Sequence, residues 1–149
     1  MKETRGGFLI SQIKQIQGRV FDSLLQEAGI EEFNGAQGRI LYVLWQEDNL
    51  PIIELSKRTG LAKTTLTGML DRMEERGFLQ RVPDRTDRRQ LRIVLSQKAR
   101  DLNKKYNDVS DEMSIIFYEG FKDEEIDLFE SYLDKILKNL MRKEGTISR

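Results

Sequence analysis

The 149-residue chain contains neither cysteine nor histidine. Without cysteine there are no disulfides, no thiolate metal sites and no sulfur-based redox sensing, so nothing argues for secretion. Without histidine, most hydrolytic and metal chemistries lose their commonest general base and zinc ligand. Carboxylate pairs of the glycosidase kind remain available, but the acidic residues lie beside bases on what read as solvated helix faces. No enzyme, metal or cofactor is expected. Long apolar runs are missing too: none approaches the ~20 residues of a membrane span, and the N-terminal apolar residues are interrupted by Gln, Lys and Ser. The expectation is a cytoplasmic protein without a membrane partner.

What is present fits a globular domain of single-domain length, expected over 1–149. Hydrophobic residues make up 38% and charged residues 34%, which argues against disorder. Formal net charge is zero, which alone counts against a nucleic-acid partner. Its distribution counts for one. Between Lys57 and Arg92 ten bases meet five acids, so the flanks must be acidic. A locally basic stretch attracts phosphate while the chain stays neutral.

Apolar spacing predicts a mainly α protein with a small β-hairpin. Leu9, Ile13, Ile16, Val20 and Leu24 recur at helical steps and stop near Gly29. Asn34 and Gln37 form a capping-box pattern ahead of Ile40, Leu41, Leu44 and Trp45. Pro51 suits the first turn of a short helix ended by Gly60, and a further helix over 63–76 ends at Gly77. Two short helices across a glycine turn make a helix-turn-helix. Residues 78–82 and 91–95 read as strands, with Leu91, Ile93 and Leu95 inward and 83–90 as a long loop. After Ser96, a cap, Ala99, Leu102, Tyr106, Val109, Met113 and Ile116 form one helical seam broken at Gly120. Asp123 is expected to cap a last helix carrying Ile126, Phe129, Leu133, Ile136 and Leu140. So much apolar stripe outside one small winged lobe favours a symmetric dimer over an intramolecular bundle.

The stretch "IIELSKRTGLAKTTLTGMLDRMEERGFLQRVPDRTDRRQLRIVLSQKAR" resembles the winged helix-turn-helix of the MarR family of bacterial transcriptional regulators. Glu54-Leu55, Gly60-Leu61, Thr65, Leu70-Asp71-Arg72, Gly77, the segment from Asp84 to Arg89 and Leu95 carry the resemblance. It implies a winged helix-turn-helix lobe over 34–95, with dimerisation helices over 8–28 and 96–142. It also implies a minor-groove role for Arg89, with Asp87 orienting its guanidinium and Arg85 and Arg88 on phosphate or groove edge. Arginine in a narrow minor groove reads shape rather than base identity.

On the recognition helix, Lys63, Thr64, Thr67 and Gly68 face away from the apolar side, and Thr65 lies near the helix start. Lys63 and Thr67 are the best base-edge candidates, since lysine donates to guanine and threonine offers a hydroxyl and a methyl. For Thr64 or Thr65 helix capping alone is the alternative. Gly68 stands where the family often has a long polar residue; it either permits close approach to DNA or leaves fewer bases read. Arg72 contacts phosphate or ties the wing to the helix through Asp84 or Asp87, and the structural pairing is preferred.

The resemblance further implies a small aromatic effector in a crevice between lobe and dimer helices, with Phe21, Tyr42, Trp45, Tyr106 and Phe117 as candidates, although each also suits ordinary core. The functional expectation is a homodimeric repressor of double-stranded DNA, on a pseudo-palindromic operator with half-sites ~10 bp apart, relieved by ligand. The alternative is a winged-helix protein–protein interaction module that binds no DNA.

Overall fold

The computed structural model describes residues 1–147. Its elements run α1 (Gly6–Glu27), α2 (Gly35–Gln46), β1 (Leu50–Pro51), α3 (Ile52–Thr59), α4 (Lys63–Glu75), β2 (Leu79–Pro83), β3 (Leu91–Leu95), α5 (Gln97–Asp101), α6 (Asn103–Phe117) and α7 (Asp123–Ile147). The fold is mainly helical with a three-stranded antiparallel sheet in the order β1-β3-β2. Strand β1 is not signalled by periodicity. Two residues are too few to alternate, and they pair Leu50 with Ile93 and Pro51 with Arg92.

Where one domain over 1–149 is expected, the chain divides into two compact units, Met1–Met113 and a second from Ser114 onward. The division also departs from the expected boundary at 95/96 between the lobe and the C-terminal dimerisation helices (96–142). Leu24, Leu25, Ala99, Tyr106, Val109 and Met113 are buried in the first unit, so the end of α1, α5 through Ala99 and most of α6 share its core. That core is closed by Ile40, Leu41, Leu44, Leu55, Leu66, Leu70, Met73, Phe78 and Ile93, all essentially inaccessible to water.

Local chemistry sets the element ends. Asn34 accepts the Gln37 N–H at 2.9 Å while Gln37 Oε1 accepts the Asn34 N–H, completing the capping box of α2. Gly38, inside α2, allows a close crossing: a Cβ there would stand 2.7 Å from the Tyr106 ring and 3.2 Å from Phe33.

Four expectations need correction. Pro51 caps α3 from an extended conformation instead of occupying its first turn. The seam after Ser96 is two helices, broken at Leu102, because the Ala99 carbonyl accepts both the Leu102 N–H and the Trp45 indole N–H. Asp123 is the first residue of α7; the cap is Lys122, whose carbonyl accepts the Ile126 N–H and whose own N–H donates to Glu125 Oε1 at 2.9 Å. Leu91, at the mouth of the wing, is exposed rather than inward.

In the second unit Tyr118 is ringed by Phe117, Phe121 and Phe129, and its hydroxyl donates to Glu130 at 2.7 Å. No residue of α7 is buried among those described. No described helix is long and apolar enough to cross a membrane.

Candidate nucleic-acid interface

The helix-turn-helix is α3 and α4. The turn between them is fastened by small polar groups: Gly60 takes the left-handed conformation at φ 73°, which glycine adopts without steric cost. The buried Thr59 hydroxyl donates to the Leu55 carbonyl at 2.8 Å and accepts the Leu61 N–H, while the Ser56 hydroxyl donates to the Leu61 carbonyl. With its turn fixed, α4 buries Leu66, Met69, Leu70 and Met73. The opposite face presents Lys63, Thr64, Thr65 and Thr67 to solvent, with Gly68 half-buried among them.

The cap of α4 is Ala62, which makes no side-chain hydrogen bond to the helix start. The capping alternative for Thr64 or Thr65 is therefore not realised. Both hydroxyls lie within the first turn, where backbone N–H groups lack helical partners and favour anions. Thr67 differs, because its hydroxyl donates to the Lys63 carbonyl at 2.9 Å.

Strands β2 and β3 pair from Leu79 with Leu95 to Pro83 with Leu91 and carry the wing loop of residues 84–90. At its tip Arg89 is 91% exposed, and Asp87 Oδ1 accepts from its guanidinium Nε at 3.1 Å. Asp87 also accepts the Arg89 N–H, so one carboxylate fixes both backbone and side chain of that arginine. Arg85 and Arg88 are exposed on the same loop.

The preferred pairing of Arg72 with Asp84 or Asp87 does not occur. Asp84 is engaged by Arg92, at 2.9 Å, and by the Thr86 hydroxyl and N–H. Those bonds, the Thr86 hydroxyl foremost, hold the Asp84 carboxyl well below the usual range. Arg72 is left exposed on α4. What ties wing to recognition helix is Arg81 on β2, which reaches Asp71 at 2.6 Å and Glu74 at 3.0 Å on α4. Its guanidinium pKa is raised, chiefly by Glu74 and then by Asp71, and Glu74 is lowered by the Arg81 N–H and then by its side chain.

A second fastening was invisible in the sequence. Arg92 also donates to the side chain and carbonyl of Asn49, a residue in the left-handed conformation at φ 59°. The neighbouring Asp48 accepts the Leu95 N–H and pairs with Arg100 at 2.9 Å. The only sequence hint is an Asp-Asn pair before Pro51, a turn signature that does not reveal its partner over forty residues away.

The aromatic candidates are only partly brought together. Phe21 and Trp45 pack against Tyr106 with centroids 5.6 and 5.0 Å away, and Phe33, which sequence reasoning missed, joins them at 6.0 Å. Tyr42 is 44% exposed. Phe117 belongs to the second unit, where it meets Tyr118. Beside this cluster, Asp22 and Leu25 of α1, Phe33, Arg72 of α4 and Arg76 at its C-terminal cap border an open cleft of about 520 Å³.

The MarR family model matches residues 33–91. The chain is 34% identical over 100 residues to an uncharacterized HTH-type transcriptional regulator of Bacillus subtilis, YsmB, covering 67% of this chain and 68% of that protein. It is 40% identical over 88 residues to the HTH-type transcriptional regulator TtmR of Methylorubrum extorquens; that match covers 59% of this chain and 44% of TtmR, so it spans less than half of that relative. In fold it superposes on a mutant E. coli MarR crystallised with operator DNA, at a TM-score of 0.79 and 23% identity, covering 88% of this chain and 92% of that one. With the family model lying on the helix-turn-helix and wing, and with two thirds of YsmB matched, the chain belongs to the MarR family.

Proposed function

We propose that the chain is a cytoplasmic transcriptional regulator that binds double-stranded DNA as a homodimer, with α4 in the major groove and the wing in the flanking minor groove. One observation carries this reading: a single compact unit presents the exposed face of α4 beside an arginine-tipped wing and holds the two together through Arg81. Structural ion pairing alone would not place Arg85, Arg88 and Arg89 on a loop tip, since exposed pairs contribute only about 0–1 kcal/mol. The relatives named as transcriptional regulators, and the E. coli protein complexed with operator DNA, support it by analogy.

The second copy is suggested by uncovered apolar surface. Phe8, Ile13 and Ile16 on α1 and Leu128, Tyr132, Ile136, Leu137 and Leu140 on α7 are exposed at helical spacing. Such faces on a regulator of two-fold operators fit a symmetric dimer. Repression, and its relief by a small aromatic effector, complete the proposal. The cleft bordered by Arg72 and Arg76 touches both α1 and the recognition helix, so a ligand with different affinities for two arrangements of these helices would shift DNA binding.

Fluorescence anisotropy with duplex from upstream of this protein's own coding sequence, against scrambled competitor at moderate and raised salt, tests the reading. Tight, competitor-resistant and salt-sensitive binding is expected. Binding no better than to scrambled DNA, with retained affinity for an acidic protein partner in pull-downs, would favour a protein-binding wing instead.

A further inference from the structure

Gly68 lies inside α4, where glycine costs about 1 kcal/mol relative to alanine. Nothing within the molecule accounts for it. Its φ is not in the left-handed region, and a Cβ built there meets no atom within 4 Å. Gly38 provides the contrast, since a Cβ there would strike Tyr106.

Thr67, beside Gly68, narrows the chemistry of what is met. Its hydroxyl proton is engaged by the Lys63 carbonyl, so this exposed side chain has only its methyl group and oxygen lone pairs left to offer a partner. A side chain without a free donor does not recognise the acceptor pair of guanine. It does suit the 5-methyl group of thymine, the one apolar feature of the major-groove edge.

We infer that Thr67 and Gly68 form a shallow seat for a thymine 5-methyl group, with Gly68 a specificity-determining residue that lets the helix backbone approach the base. The inference rests on the DNA-binding reading above. It assigns hydrogen-bonded base readout on this face to Lys63 and apolar readout to the Thr67–Gly68 pair.

The test uses a duplex selected from a random-sequence pool by the wild-type protein, with each thymine replaced in turn by deoxyuridine, which lacks only the methyl, in both half-sites. For wild type, one such position is expected to lower affinity about three- to tenfold. Gly68→Ala should bind the parent duplex about tenfold more weakly and lose the sensitivity at that position, while melting no lower than wild type. Thr67→Ser, which removes the methyl, should also lose the discrimination; Thr67→Val, which keeps it, should retain discrimination whatever its overall affinity. Unchanged discrimination in Gly68→Ala and Thr67→Ser, or no sensitive thymine at all, overturns the seat while leaving DNA binding intact. Failure of the pool to yield any duplex bound better than scrambled DNA overturns both.

Discussion

Arg89 is more than nine-tenths exposed, yet Asp87 holds both its backbone N–H and its guanidinium. The cost of ordering a long side chain is thus partly met before any groove is entered. Arg89→Ala is expected to weaken operator binding at least tenfold in anisotropy titrations with little change in melting temperature, and Asp87→Asn to weaken it less. Tyr118 supplies a prediction on stability. Burial, with Glu130 as acceptor, pushes its phenol up to about 12. A raised folded-state value means that this contribution is fully present below the unfolded value near 10 and is lost as pH rises toward 12. Absorbance titration of tyrosinate should show a late-ionising fraction to which Tyr118 and Tyr106, the latter also raised by burial, both contribute, and Tyr118→Phe should reduce that fraction without abolishing it.

At the scale of elements, the crossing of α2 over α6 depends on the missing side chain at Gly38. Gly38→Ala forces a methyl against the Tyr106 ring and should destabilise the first unit by about 1–3 kcal/mol, read as a lowered denaturation midpoint. The helices of the helix-turn-helix lobe were legible from apolar spacing and the Asn34–Gln37 box, because both signals are local. So was the Asp87–Arg89 pairing, though it rested on resemblance rather than geometry. Strand β1, the break at Leu102 and the anchoring of the wing by Arg81 and Arg92 were not legible. Each depends on partners brought close only by folding: Ile93 for Leu50, Trp45 for Ala99, Asp71 for Arg81 and Asn49 for Arg92. Arg72 was misjudged for the same reason, since its expected partner Asp84 is already satisfied by Arg92.

For the whole molecule, zero net charge conceals a division of labour among the cations. Of the ten bases between Lys57 and Arg92, Arg58, Arg81, Arg89 and Arg92 are ion-paired, and Arg76 donates to the Glu32 carbonyl. Lys57, Lys63, Arg72, Arg85 and Arg88 have no ion pair among the described residues and are the ones available to phosphate. In a dimer using them all, these side chains would contribute about −9 to the log–log salt slope, at about 0.9 per phosphate. A slope near zero would contradict the proposal. Dimerisation has its own check: Ile136→Asp combined with Leu140→Asp should shift sedimentation to the monomer while leaving helical circular dichroism intact, because neither side chain is buried within the chain.

The chain carries a single tryptophan, and its indole N–H donates to the Ala99 carbonyl at 3.0 Å, with Tyr106 5.0 Å away. That places the molecule's one strong fluorophore at the joint between α2 and the short helix leading out of the wing. Emission from Trp45 is therefore a label-free gauge of that joint, shifting to the red whenever it opens to water. A protein titrated with DNA, or with any small molecule that disturbs the lobe, reports the event in its own ultraviolet light.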